Sequence, residues 1–134
     1  MTTTEELVER MLNGAVAALE TMDIHLGVRL GLYEALAGGP LDAHGLAAKA
    51  GIHPRYAREW LEEQGAAGLL VPEDDGEDPY QRTFRLPDEL REVLLDEDGP
   101  FYLGALPEFI TSIAGVIDRV ADAYRTGEGV SFAD

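Results

Sequence analysis

Between Asp42 and Leu86 the chain is punctuated in a way that leaves few folds open. Asp42 has a side chain suited to capping a helix that runs to Ala50, and Gly51 stands where a left-handed residue closes one. Lys49 falls in the last turn, where a cation suits the helix dipole. After Ile52 and His53, Pro54 takes the first position of a second helix running to about Gln64, with Ala57, Trp60 and Leu61 as its buried stripe. Helix, tight turn, helix at this spacing is a helix-turn-helix. The period then changes. Leu69-Leu70-Val71 is a short apolar run of strand character, Pro72 to Pro79 an acidic turn, and Tyr80 to Leu86 an alternating return strand. A β-hairpin directly after a helix-turn-helix is a wing. The spacing therefore predicts a mainly α (α+β) fold, with a winged helix-turn-helix over residues 41–87 and a small β-hairpin as its wing.

Residues 1–40 form a helical segment before it. Thr3 and Glu6 have capping-box spacing, and the carboxylate suits the positive end of the helix dipole. Leu7, Met11, Ala15, Leu19, Met22, Leu26, Leu30 and Tyr33 then recur at the period of one helical face. Val8, Leu12, Val16, Val28 and Leu32 add a second apolar flank. Asn13-Gly14 and Gly27 interrupt the pattern, which predicts two helices or one kinked helix; Ala37-Gly38-Gly39-Pro40 ends the segment. A helix that is apolar on more than one side is buried in a larger body or packs against a second copy. Leu7, Met11, Leu12, Val16 and Leu19 are the candidate contacts of such a homodimer. In residues 88–134, Asp88 to Leu95 reads as a helix, and Pro107 to Arg125 as a longer one with Phe109, Ile110, Ile113, Ile117, Val120 and Tyr124 on one side.

Charge bears directly on a helix-turn-helix. The 134 residues carry 10 Lys+Arg against 26 Asp+Glu, a net −16, which repels nucleic acid phosphates and anionic lipid head groups. The same sign holds locally. Arg55 and Arg58 of the second helix stand beside Glu59, Glu62 and Glu63, and Arg82 and Arg85 of the wing beside Glu73, Asp74, Asp75, Glu77 and Asp78. These are the elements that would have to meet phosphates. Nucleic acid is therefore not an expected partner, nor is a membrane, because no apolar run approaches the roughly 18 residues of a span. The polar, acidic start is not a secretory leader, and the chain has no cysteine; a cytoplasmic location is the default.

Candidate chemistry is sparse. His25, His44 and His53 show no zinc-hydrolase spacing, and Asp74-Asp75 and Asp96-Glu97-Asp98 lack the calcium-loop pattern. A dinucleotide-type cofactor site needs a strand leading into a glycine-rich turn at a helix start. Gly65-Ala-Ala-Gly68 follows a helix instead, and Gly38-Gly39 precedes proline. The sequence predicts no catalytic, cofactor-binding or metal residue, so the chain alone is expected to be inactive.

Several blocks nevertheless resemble one family. His25 to Leu36 (HLGVRLGLYEAL) resembles the helical entry, and Leu46 to Ile52 (LAAKAGI) the first helix, of the N-terminal winged-helix and dimerisation domain of class I S-adenosylmethionine (SAM)-dependent methyltransferases. Arg55 to Leu61 (RYAREWL) is similar to the second helix of an actinobacterial small-molecule branch of that group, and Tyr80 to Pro87 to the wing's return strand. Gly129 to Asp134 looks like the start of a linker to the catalytic domain, so the chain reads as a piece of a longer protein. The resemblance implies a homodimer built by the first helices and segments that roof the pocket of a small-molecule methyl acceptor. His25, Tyr33, Phe101, Tyr102 and Phe109 are then the substrate-lid candidates. It also implies that SAM and the reacting groups belong to a C-terminal catalytic domain absent from these residues. Gln64 and Gly65 depart from the pattern where apolar residues are expected, and the wing turn is longer and more acidic. The alternatives are a winged-helix transcriptional regulator and a protein-interaction module.

Overall fold

The computed structural model describes residues 1–74 and 76–131. Asp75 of the wing turn and the last three residues of the linker-like stretch lie outside the described residues. The elements in chain order are α1 (Thr4–Arg29), α2 (Leu32–Leu36), α3 (Ala43–Ala50), α4 (Pro54–Ala66), β1 (Val71–Pro72), β2 (Phe84–Arg85), α5 (Asp88–Leu95), α6 (Leu106–Gly115) and α7 (Ile117–Thr126). The fold is mostly helical with one small antiparallel hairpin, a winged helix-turn-helix.

The local chemistry works where capping residues were legible. The Thr3 hydroxyl accepts from the Glu6 N–H at 3.2 Å, and the Glu6 carboxylate accepts from the Thr3 N–H at 2.8 Å, a complete capping box. Asp42 accepts from the Gly45 N–H at 2.7 Å, and Gly51 closes α3 with φ at 72°. Lys49 donates across to the Ala35 carbonyl at 2.9 Å, which ties α3 to α2.

Three elements differ from expectation. α1 is one continuous 26-residue helix through Asn13-Gly14 and Gly27, and the break comes at Gly31, whose φ of 70° no β-carbon would tolerate well. Gly27 stays helical because its bare face is filled. A methyl there would stand 2.4 Å from Tyr33 Cε2 and 2.6 Å from Trp60 Cζ2. The wing strands are two residues each, paired Val71 with Arg85 and Pro72 with Phe84. Phe84 also exchanges backbone hydrogen bonds with Leu41 at 3.0 and 3.1 Å, which anchors the wing to the chain entering α3. The expected 107–125 helix is split at Val116 (φ −111°, ψ 13°), just after the helix-weakening Gly115.

The core gathers Leu32, Tyr33 and Leu36 of α2, Leu46 of α3, Ala57, Trp60 and Leu61 of α4, Phe84 of the wing and Leu94 of α5. Trp60 meets Tyr33 edge to face with ring centroids 5.1 Å apart. The two departures at Gln64 and Gly65 are both explained here. Gln64 is fully buried, and its side-chain carbonyl accepts from the Tyr33 hydroxyl at 2.5 Å. Gly65 leaves space for the Phe84 ring, since a β-carbon would sit 2.6 Å from Phe84 Cε1.

Candidate functional site

A winged helix offers α4 and the wing to a partner, and in this chain three of their four arginines, Arg58, Arg82 and Arg85, are paired internally. Arg82 of the wing grips both Glu62 oxygens of α4 at 2.8 and 2.9 Å, with a third bond to the Gly76 carbonyl at 3.2 Å. Arg85 pairs with Glu73 at 2.8 Å, and Arg58 pairs with Glu59. The Arg58 guanidinium also lies over the Tyr80 ring, 5.1 Å from its centroid, while His44 stacks on the same ring. The Gly76 N–H, and after it Thr83, hold the Asp74 carboxyl below its usual range. His53 caps α4, accepting from the Arg55 N–H at 3.1 Å.

The second surface is the apolar stripe of α1. Residues 1–19 are exposed throughout, so the first turns of α1 form an exposed arm of a helix against which α6 also packs. Val8, Leu12, Val16 and Leu19 are each more than half exposed, and Met11 is 75% exposed. At the root of this arm the stripe enters a groove of about 610 Å³, lined by Leu26, Leu30, Leu32, Ile52, Tyr56 and Trp60, with Asp23, Glu59 and Glu63 around it. Trp60 is fixed in its wall by donating to the Asp23 carbonyl at 3.0 Å. Glu63 accepts from the Gln64 amide at 2.7 Å. Its carboxyl titrates above the usual range, first from desolvation and then from the charges of Asp23 and Glu20. Burial, reinforced by Glu63, Asp23 and Glu20, also pushes the Tyr33 phenol far up, so Tyr33 is a hydrogen-bond donor and no acid.

The substrate-lid candidates divide. Tyr33 is fully buried in the core, and with Tyr102 it lines a small cavity of about 80 Å³ between α2 and α5. His25 is half-buried on α1, and Phe101 and Phe109 are 63% and 58% exposed. The structure brings Tyr33 and Tyr102 together and leaves the other three apart from that cavity. The dimer candidates Leu7, Met11, Leu12, Val16 and Leu19 are all exposed. The groove itself was not anticipated, although Tyr56 and Trp60, four residues apart on α4, share a helical face. Among the described residues no cluster of His, Asp or Glu could hold a metal ion, and no helix is long and apolar enough to cross a membrane.

Fold and surfaces together define a winged helix-turn-helix flanked by helices that expose apolar faces. The Rv2258c-like winged HTH domain family matches residues 17–95, and the chain belongs to that family. It is 41% identical over 102 residues to the tetracenomycin polyketide synthesis 8-O-methyl transferase TcmO of Streptomyces glaucescens, which covers 75% of this chain and 28% of TcmO. Among solved structures it is similar to human N-acetylserotonin methyltransferase in complex with SAM, at 24% identity and TM-score 0.70, covering 97% of this chain and 38% of that one. It is similar to the N,N-8-amino-8-demethyl-D-riboflavin dimethyltransferase RosA of Streptomyces davawensis at 22% identity and TM-score 0.73, covering 95% and 35%. The mitomycin 7-O-methyltransferase MmcR matches at 27% identity and TM-score 0.62, covering 93% and 34%. The chain thus corresponds to a minor part of each of these methyltransferases, well under half of its length.

Proposed function

We propose that this chain is the dimerisation and substrate-lid module of a SAM-dependent small-molecule methyltransferase, working in the cytoplasm. The observation that carries the reading is the bare apolar stripe of α1, on a chain whose relatives are methyltransferases. Solvent exposure on that scale is unusual for a monomer and marks an interaction surface. The cofactor does not fit the described residues. Their sheet is a two-stranded wing, with no strand leading into a glycine-rich turn at a helix start. SAM, methyl transfer and the acceptor's reacting atom are therefore assigned to a catalytic domain outside these residues. The exposed Phe101 and Phe109 are the side chains of this reading that meet the acceptor.

Two measurements test it. Sedimentation of the chain is expected to give a homodimer at micromolar concentration, and a clean monomer at high micromolar concentration counts against the dimer. Calorimetry with SAM is expected to give no measurable binding, and micromolar affinity overturns the division of labour.

A further inference from the structure

The groove at the root of α1 joins apolar walls, two aromatic rings and a set of carboxylates with no lysine or arginine beside them in its lining. We propose that it is a binding site for a lipophilic cation, an ammonium group carried on a compact apolar body. The site goes beyond the dimer and lid reading and does not depend on it.

Size and wall chemistry set the body of the ligand. At about 610 Å³ the groove falls within the roughly 300–1,000 Å³ of small-molecule pockets. Leu26, Leu30, Leu32 and Ile52 make it apolar. Tyr56 is 67% exposed, so its ring face is open to a ligand. Trp60 is held from behind, because its N–H donates to the Asp23 carbonyl and its ring meets Tyr33 edge to face. With its one donor occupied, the indole offers a ligand only its π surface.

Charge sets the sign. Asp23, Glu59 and Glu63 stand among these walls, and no lysine or arginine lines them among the described residues. Glu59 has Arg58 as a partner. Glu63 has no such relief: the charges that act on it, Asp23 and Glu20, are both negative, and desolvation adds to their effect. The His53 ring brings no cation either, since its Nδ1 accepts from the Arg55 N–H. A cleft of one sign with low-dielectric walls concentrates counter-ions, and an aromatic face holds a cation through its quadrupole. A neutral body of the same shape gains the apolar contact alone, and an anion is repelled. One cation over an open ring and one half-exposed ion pair together favour the cation by about tenfold over its neutral isostere.

Trp60 is the one tryptophan of the chain and lines the groove, so its fluorescence reports occupancy. The chain is titrated with adamantylammonium, adamantanol and adamantane carboxylate, which share an apolar body, do not absorb with tryptophan and differ in charge. The expected outcome is a saturable change in Trp60 emission with the cation, at about tenfold higher affinity than the alcohol, and no measurable binding of the carboxylate. Asp23→Asn combined with Glu63→Gln is expected to bring the cation down to the alcohol's affinity and to leave the alcohol unchanged. Tyr56→Ala, at an exposed position, is expected to weaken the cation more than the alcohol. Equal affinity of the native chain for cation and alcohol overturns the ligand class. A cation that binds the double variant as tightly as the native chain sits elsewhere, which overturns the site. Saturation by none of the three overturns the proposal. So does a cation affinity that falls as chain concentration rises, the mark of a groove closed by a second copy.

Discussion

Gln64 stands where a hydrophobic side chain would be expected, and its burial is tolerable only because its partners are in place. Tyr33 donates to its carbonyl, and its amide donates out to Glu63, so the polar atoms are matched without water. Tyr33→Phe keeps the ring against Trp60 and orphans the Gln64 carbonyl. The expected cost is about 1–3 kcal/mol in urea unfolding, from leaving a buried acceptor unsatisfied. Tyr33→Phe combined with Gln64→Leu removes both ends and should recover part of that loss. Glu63 carries a pH dependence of the opposite sign to an ordinary paired carboxylate. Its folded-state pKa is raised, so the folded chain holds the proton where the unfolded chain has already lost it. Its contribution to stability is present below the unfolded carboxylate range and is lost as pH rises through the raised value. Glu63→Gln, which keeps an acceptor for the Gln64 amide, is expected to flatten that slope and to be more stable than the native chain at pH 7.

At the scale of elements, the sequence was most legible where a single residue type enforces a backbone state. Asp42, Gly51, Pro54 and the Thr3–Glu6 pair set helix ends through local hydrogen bonds and dihedrals, and those ends fall where expected. Glycine within α1 was less legible, because a helix break and a close ring contact leave the same mark in sequence. Gly14 and Gly27 both stay helical, and only Gly27 has rings packed against it. Nothing lies within 4 Å of a β-carbon built at Gly14, so Gly14→Ala should stabilise α1 by about 0.5–1 kcal/mol through helix propensity. The same substitution at Gly27 drives a methyl into the Tyr33 and Trp60 rings, and overpacking of about 1–3 kcal/mol outweighs the gain. Thermal unfolding of the two variants should move in opposite directions. The groove was illegible for a related reason. Its walls come from α1, α2, the turn before α4 and α4 itself, and no spacing within one element records that they meet.

For the whole molecule, the fold and its charge point to different partners. A winged helix-turn-helix is a common DNA reader, and its affinity begins with cations that meet phosphates. On a chain of net −16, Arg58, Arg82 and Arg85 each lie against a carboxylate of the same fold, so little positive charge is left to displace counterions. Electrophoretic shift at low salt, where electrostatic binding is strongest, is therefore expected to show no complex with mixed genomic fragments. The regulator alternative requires the reverse. If the acidic partners alone stood in the way, Glu62→Gln combined with Glu73→Gln would release Arg82 and Arg85 and produce weak binding that disappears as salt rises. If the recognition surface serves as a packing scaffold, the same variant gains nothing, because Glu59, Glu63 and the remaining wing carboxylates still outnumber the arginines of the two elements. A shift by the native chain that persists at physiological salt would remove the methyltransferase-module reading from first place.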